Sequence, residues 1–267
     1  MRKQIIVSGH RGYIGSNFCK ILKKKKIKFL KYNFNNKKKN WSNFTHFFHF
    51  DFDIKIKNSS MRKNKERMLK ILSLCSGNNI KLIFPSTCTY KYNKFNKRIS
   101  KQIHPINNYS KSKIQCEKNI LLYQKKFDLN FFIFRIFNVY GNTINNKSVI
   151  ASLIKKLRKH KATKLVYSEN VRDFIHIDDI LTLFVKSLNI NTSGIYELGS
   201  QETVSIKNLA LMIKEIYSYK SKIIFTKPYK SVSNNFSKSN IKKTKSTFSW
   251  KPIITLKEGL KKNSNFK

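Results

Sequence analysis

The seven residues Gly9-His10-Arg11-Gly12-Tyr13-Ile14-Gly15 follow a short apolar run, Ile5-Ile6-Val7, and lead into a helix-like stretch from Tyr13 to Lys25. A strand that ends in a glycine turn and re-enters as a helix sets the first β-α unit of a parallel sheet. The helix N-terminus then faces an anion. The three glycines serve the tight turn, the approach of backbone to phosphate and the packing of helix on strand. The spacing is G-x-x-G-x-x-G, one residue longer than the commonest fingerprint. The segment reads as a nucleotide-binding loop, with Gly9, Arg11, Gly12, Tyr13, Ile14 and Gly15 beside the ligand; an ordinary glycine turn is the alternative.

The same alternation continues along the chain. Apolar runs predict strands over 4–8, 27–31, 45–50, 80–85, 131–136, 164–167 and 194–198. Helical patterns fall between them over 13–25, 61–76, 107–126, 148–160, 177–189 and 205–218. Fully apolar strands alternating with helices imply an α/β fold, a doubly wound parallel sheet covered on both faces. Only 12 residues separate Lys31 from Phe44. A parallel crossover needs about a dozen or more residues including its helix. A further strand plus helix therefore does not fit, and one edge of the sheet is expected to be shortened. The polar stretches 91–104 and 229–245 read as loops, and the first could close over a ligand.

With 267 residues the chain can bury a large core as one domain, or one domain with an appended lobe. No apolar run approaches the roughly 18 residues of a membrane span, and Met1-Arg2-Lys3 precedes too few apolar residues for a signal peptide. Cys19, Cys75, Cys88 and Cys116 show no C-x-x-C spacing, so free thiols in a reducing cytoplasm are expected. The histidines do not cluster with them, and no metal site is expected. The 56 basic residues against 13 acidic ones, net +43, would ordinarily point to nucleic acid. The lysines, however, are spread along the whole chain and travel with Asn, Ile, Phe and Tyr, all encoded by A/T-rich codons. Genome drift accounts for this better than a binding groove, so nucleic acid is not expected as a partner. Three of the 13 acids stand within Asp173 to Asp179, where drift has spared them.

Tyr109 and Lys113 are four residues apart, hence on one face of a helix. An ammonium near a phenol lowers its pKa from about 10 toward working pH, which would make Tyr109 a general acid/base for a sugar hydroxyl. Chance spacing in a lysine-rich chain is the plain alternative. Upstream, Phe84-Pro85-Ser86-Thr87-Cys88-Thr89-Tyr90 places hydroxyls at the C-terminal end of a strand, where ligands bind or where strand ends are merely capped. Cys88 is a small buried residue or a reactive thiol. Arg135-Ile136-Phe137-Asn138-Val139-Tyr140-Gly141 ends another strand with an amide and a glycine turn. Val171 to Asp179 joins a short strand to a helix, with Asp178 or Asp179 as its cap. Arg172 suits a phosphate by bidentate geometry, or a neighbouring acid.

In this order, the glycine loop, the Ser/Thr strand end, Tyr-x-x-x-Lys, R-x-F-N-x-Y-G and R-D-F-x-H-x-D-D together resemble the extended short-chain dehydrogenase/reductases. More narrowly they resemble the NAD-dependent nucleotide-sugar epimerase/dehydratase branch. Tyr196-Glu197-Leu198-Gly199-Ser200, Trp250-Lys251-Pro252 and Glu258-Gly259-Leu260 are similar to its closing segments, so the resemblance spans nearly the whole chain. It implies a Rossmann-type NAD(P)-binding domain over 1–147, with 170–190 returning to it, and a smaller C-terminal substrate lobe from 148–169 and 191–267. It implies Tyr109 as acid/base and Lys113 as the holder of the nicotinamide ribose. Ser86, with Thr87 as neighbouring candidate, would bond the reacting sugar oxygen. Asn138 and Arg172 would grip the nucleotide diphosphate, and Asp179 would be structural, at the hinge. It also implies a homodimer through two helices, one carrying Tyr109.

Dehydratases of that branch follow the Ser/Thr with an Asp-Glu pair, which this chain lacks, so elimination is disfavoured. Two reactions remain on a nucleotide sugar, 4-epimerisation and reduction of a 4-keto sugar. The chain is accordingly expected to be an NAD(P)-dependent 4-keto reductase or 4-epimerase serving surface polysaccharide precursors. The G-H-R-G loop and S-x-C-x-Y strand end resemble the GDP-fucose synthase type of 4-keto reductase. Phe29-Leu30-Lys31-Tyr32-Asn33 offers no carboxylate for the NAD ribose, whereas Lys31 and Arg11 would welcome a 2′-phosphate. The cofactor is NAD or NADP, with NADP(H) favoured. Two departures stand out: Ser148 where such synthases carry a histidine acid, and Asp51-Phe52 where the family has small residues. Asp51 would repel a pyrophosphate and Phe52 would crowd it. An NAD-dependent UDP-sugar 4-epimerase, a non-catalytic RNA-binding member of the fold, and an inert scaffold with a shortened 32–43 region stay open beside the leading reading.

Overall fold

The computed structural model describes residues 3–35, 40–54, 58–88, 90–91, 104–105, 107–141, 148–159, 161–166, 168–226 and 237–262. They run through β1 (Gln4–Ser8), α1 (Tyr13–Lys24), β2 (Lys28–Tyr32), β3 (His46–His49), α2 (Asn58–Ser76), β4 (Lys81–Thr87), β5 (Tyr90–Lys91), β6 (His104–Pro105), α3 (Asn108–Phe127) and β7 (Phe131–Ile136). The chain continues through β8 (Asn138–Tyr140), α4 (Val149–Lys159), β9 (Ala162–Val166), β10 (Val171–His176), α5 (Ile177–Ser187) and β11 (Gly194–Leu198). It ends with β12 (Thr203–Ser205), α6 (Ile206–Ile216), β13 (Lys222–Thr226), α7 (Lys242–Phe248) and α8 (Leu256–Lys262). These elements form two compact units, residues 1–136 with 188–196, and residues 137–187 with 197–267.

The first unit is built on a six-stranded sheet in the order β11-β7-β4-β3-β1-β2. β1 pairs in parallel with β2 and β3, β3 with β4, and β4 with β7. The central strands are buried on both faces, which is why they read as unbroken apolar runs rather than alternating ones. Among the described residues no strand lies outside β2, as the short 32–43 connection required. Lys28 and Lys31 are exposed on that edge strand, where charge discourages pairing with another chain. The core gathers Ile6, Phe47, Met68, Leu72, Phe84, Ile120 and Ile133. Helix α2 contributes Asn64, Met68, Ile71, Leu72 and Cys75, one stripe at helical spacing. Helix α3 starts at a capping box in which Asn107 accepts from the Ser110 amide (2.9 Å) and the Ser110 hydroxyl accepts from the Asn107 amide (3.0 Å). Asp128 ends it in the left-handed conformation, φ 50°.

In the second unit β10 runs parallel to β8 and antiparallel to β12, and β9 pairs in parallel with β13. Tyr140, Leu153, Leu157, Phe174, Leu209 and Leu260 share one core. Asp173 is fully buried and receives five hydrogen bonds: from the Ser200 amide (2.7 Å) and hydroxyl (3.0 Å), the Gln201 amide (3.1 Å), and the Ser239 amide (3.0 Å) and hydroxyl (2.6 Å). Asp179 likewise ties α5 to the C-terminal segment by accepting from the amides of Ile253 (3.1 Å) and Ile254 (3.2 Å). Two of the three spared acids, Asp173 and Asp179, are thus structural.

All seven strands and six helices expected from the sequence are present within a few residues. The short elements β5, β6, β8, β10, β12, β13, α7 and α8 are additional, because two- to seven-residue elements carry too little periodicity to stand out; β5 and β6 pair antiparallel at the two ends of the expected 91–104 loop. The division between units also differs from the 1–147 boundary with 170–190 returning. The chain leaves the first unit after Ile136, since β8 pairs with β10, and the returning segment is 188–196. Lys3 secures that return by donating to the Leu188 carbonyl and the Asn189 side chain, and Lys81 does so through the carbonyls of Ile190 (2.6 Å) and Thr192 (3.1 Å). Of the two expected polar loops, 92–103 and 229–236 lie outside the described residues. Among the described residues no helix is long and apolar enough to cross a membrane.

Asp173→Ala strands five donors, each losing a charge-assisted bond. It is expected to destabilise the chain by at least about 3 kcal/mol in denaturant titration; a change below about 1 kcal/mol would contradict the role given to Asp173.

Candidate functional site

At the end of β1 the backbone of Gly9 takes φ +67°, and a β-carbon there would stand 2.4 Å from the Asp51 amide nitrogen and 2.4 Å from the Phe50 carbonyl carbon. The Gly12 amide closes the turn onto the Gly9 carbonyl (2.9 Å). On α1, a β-carbon at Gly15 would lie 2.3 Å from that same carbonyl oxygen. Both positions exclude any other residue, one by conformation and one by contact. Gly12 caps α1 without a side-chain hydrogen bond and no acid follows in the first turn, so the helix presents its N-terminal field unneutralised. Tyr13 and Ile14 form that first turn, half-buried.

An open cleft of about 470 Å³ lies over this turn, bounded by Gly9–Gly12, the β2 end at Tyr32 and Asn33, Asn35, and Phe50–Phe52. Nδ1 of His10 is buried here and has no hydrogen-bond partner. Burial lowers the His10 pKa first, then the charges of Lys31 and Arg11, opposed by Asp51. The ring is therefore neutral, and both basic side chains act at the loop. Asp51 was expected to repel a pyrophosphate, but its carboxylate pairs with the Arg67 guanidinium at 2.9 Å, and that group lies 4.9 Å over the Phe34 ring. The acid at the cleft wall brings its own counter-ion.

Helix α3 carries Tyr109 and Lys113 toward the end of β4. The Thr87 side chain hydrogen-bonds the Tyr109 hydroxyl. Burial, and then Cys88, push the phenol up to about 12, against the Thr87 bond. Lys113 is buried, donates to the Pro85 carbonyl (2.6 Å), and lies 3.8 Å from the Phe52 ring centre and 4.3 Å from that of Phe84. Burial pushes it down to about 7, opposed by Cys116 and Glu117. The expectation that the ammonium would lower the phenol is corrected: both groups are desolvated, which disfavours phenolate and ammonium alike.

Ser86 and Thr87 separate. The buried Ser86 hydroxyl donates to Glu117 (2.5 Å), whose carboxylate is forked by Arg135 (Nη2 at 2.6 Å, Nε at 3.2 Å). Thr87 is the hydroxyl bonded to Tyr109. Glu117 and the role of Arg135 were missed, although Glu117 falls four residues after Lys113 on the same helical face. His49 was missed too. Its Nδ1 bonds the Ser8 hydroxyl (2.8 Å), its ring stacks on Phe84 (6.0 Å), and burial pushes it down to about 3.

Within the second unit, Asn138 donates to the Asp173 carbonyl (2.8 Å) and Arg172 to the Val171 carbonyl (3.0 Å), on the paired strands β8 and β10. Ser148 accepts from the Ala151 amide (3.1 Å), a helix cap for α4.

The sequence profile of the NAD dependent epimerase/dehydratase family matches residues 48–199. ADP-L-glycero-D-manno-heptose-6-epimerase of Brachyspira hyodysenteriae is 30% identical over 217 residues, covering 76% of this chain and 68% of that protein. Other curated relatives are spanned less completely, down to 35% of their length. UDP-glucose 4-epimerase of Thermotoga maritima, solved with UDP-glucose, superposes with TM-score 0.84 at 19% identity, covering 98% of both chains. The protein RMD of Pseudomonas aeruginosa, solved with NADPH, gives 0.83 at 16% identity, covering 99% of this chain and 98% of that one. At these identities the structural likeness is one of fold. The chain belongs to the NAD dependent epimerase/dehydratase family.

His49 and His46, the latter pushed down to about 4 by burial and by Lys81 and Lys3, are neutral in the folded chain. The unfolded chain takes up these protons near pH 6.5, the folded chain only near 3 and 4, so stability is lost as pH falls from 6.5 toward those values. Each contributes up to about 1.4 kcal/mol per pH unit. Denaturant midpoints should fall from pH 6.5 to pH 4, less steeply for His49→Gln; a flat profile contradicts the burial of neutral rings.

Proposed function

We propose that the chain is an NAD(P)-dependent nucleotide-sugar 4-keto reductase or 4-epimerase, and that its residues serve reduction best. The observation that carries this reading is the Tyr109 hydroxyl, hydrogen-bonded to Thr87 at the end of β4 in surroundings whose burial favours the phenol over the phenolate. The first unit's glycine loop supports the cofactor half. Its residues fit an adenosine diphosphate group: Gly9 and Gly15 leave no side chain over the turn, α1 offers its N-terminus, and His10 Nδ1 is a buried polar atom without a partner. Asn33 follows β2 where a ribose-binding carboxylate would otherwise stand, and its side-chain Oδ1 accepts from the Asn35 backbone amide (3.1 Å). Arg11 and Lys31 favour a 2′-phosphate.

A bound nicotinamide supplies hydride to a sugar carbon or takes it away. Tyr109 holds a proton at its hydroxyl at neutral pH and gives it to the oxygen of a carbonyl under reduction. The Thr87 bond then stabilises the phenolate left behind, a stronger interaction than it makes with the phenol. Ser86, Glu117 and Arg135 brace the β4 end against α3, so Ser86 is proposed as a positioning residue and Thr87 as the catalytic hydroxyl. Asn138 and Arg172 are proposed to hold the nucleotide diphosphate, on their motif positions alone. Epimerisation at the same carbon would use the same residues, and the names of the similar proteins support it.

A panel of nucleotide sugars and 4-keto nucleotide sugars, followed by reduced-nicotinamide absorbance and product analysis, identifies the substrate. Tyr109→Phe should slow turnover by about 10²- to 10⁴-fold while NADPH still binds; undiminished turnover sinks the reading. Arg11→Ala should weaken NADPH by about tenfold relative to NADH, the scale of one lost charge-assisted contact. Equal NADPH and NADH affinities in both proteins would refute the 2′-phosphate preference.

A further inference from the structure

We propose that Phe52 divides the nucleotide cleft. In the resting chain the cleft takes an adenosine diphosphate group alone, and rotation of the Phe52 ring away from Lys113 admits the remainder of a dinucleotide. The proposal rests on the reading that the cleft holds a dinucleotide whose far ribose meets Lys113.

Phe52 belongs to two surroundings at once. Its ring lines the cleft over the glycine turn. The same ring stands 3.8 Å from Lys113 Nζ and edge-on to Tyr109, with centroids 5.8 Å apart at 89°. The Lys113 ammonium spends its donors inside the chain, one on the Pro85 carbonyl and the others against the faces of Phe52 and Phe84. No ligand hydroxyl can meet that nitrogen from the cleft while Phe52 lies over it. At about 470 Å³ the cleft falls in the lower part of the roughly 300–1,000 Å³ range of ligand pockets, in keeping with a partial ligand.

The backbone under Phe52 is fixed on both sides. Arg67 of α2 holds Asp51 at 2.9 Å. Asn64 of the same helix accepts from the Asp53 amide and donates to the Asp53 carbonyl, each at 2.9 Å, while Ser60 donates to the Asp53 carboxylate (3.1 Å). Gly9 further confines residues 50 and 51, since their backbone approaches within contact of its α-carbon. A clamped backbone leaves side-chain rotation as the movement available, and the Phe52 ring, half-buried at the border of an open cleft, is not enclosed against it. Opening exchanges a desolvated cation–π contact for contact with the ligand. Phe52 thereby sets how much of a dinucleotide contributes to binding.

The test is calorimetric titration of the full chain with NADPH, with adenosine 2′-phosphate 5′-diphosphate as the nucleotide half, and with the NADH and ADP pair in parallel. In the wild type, each whole dinucleotide should bind within about threefold of its half. In Phe52→Ala the dinucleotide should tighten at least about tenfold while its half stays within about twofold, because the lost obstruction touches only the far portion. A wild-type dinucleotide more than about tenfold tighter than its half, or no gain in Phe52→Ala, overturns the proposal. The wild-type ratio decides on its own if Phe52→Ala does not fold, with Phe52→Leu as the volume-conserving second variant. Binding of neither half nor whole refutes the dinucleotide reading and the proposal with it; nucleotide binding with the wrong ratio refutes the role of Phe52 alone.

Discussion

A β-carbon on residue 15 would stand 2.3 Å from the Gly9 carbonyl, and one on residue 9 would stand 2.4 Å from the backbone of Phe50 and Asp51. The end of β1 is thus held between the first turn of α1 and the segment leaving β3, with no room for a side chain on either flank. Everything at the candidate site follows from that approach. It aims the α1 N-terminus over the cleft, and it brings residues 50–53 beside the loop. There α2 clamps them through Arg67, Asn64 and Ser60. Phe52, fixed by that clamp, reaches the buried Lys113.

The chemistry of the Tyr109–Lys113 pair is decided by desolvation rather than by mutual attraction. Lys113 Nζ lies 6.0 Å from the Tyr109 ring centre, and two unit charges at about such a separation interact by about 3 kcal/mol at an effective dielectric of about 20. Removing each ion from water costs several kcal/mol. Burial therefore prevails: the phenol is pushed up to about 12 and the ammonium down to about 7. Glu117, buried on the same helix, is held by the forked Arg135 guanidinium and the Ser86 hydroxyl together. A proton donor at Tyr109 and a braced strand end are what this balance leaves.

Much of the fold was readable in the sequence because its strands are long apolar runs and its helices carry clear stripes. Gly9 to Gly15 announced the loop, and the 12 residues after Lys31 announced the edge at β2. What could not be read depended on which side chain faces which. Ser86 and Thr87 are adjacent on one strand, hence on opposite faces, and only the packing of α3 assigns Glu117 to one and Tyr109 to the other. Asp51 read as a repulsive acid because Arg67 lies 16 residues away in sequence and reaches it only through the fold of α2. Phe52 read as crowding for a pyrophosphate; in the structure the residue lines the cleft and its ring also meets Lys113, a contact with no sign in the sequence. The short strands β8 and β10, which place Asn138 and Arg172, left no periodic signal.

The central claim is that the glycine turn and the segment after β3 together form a nucleotide site. Hydrogen–deuterium exchange of the full chain with and without saturating NADPH tests it most directly. The account predicts slowed exchange confined mainly to residues 9–16, 32–35 and 50–53. Unchanged exchange at those segments, or protection elsewhere alone, would contradict it.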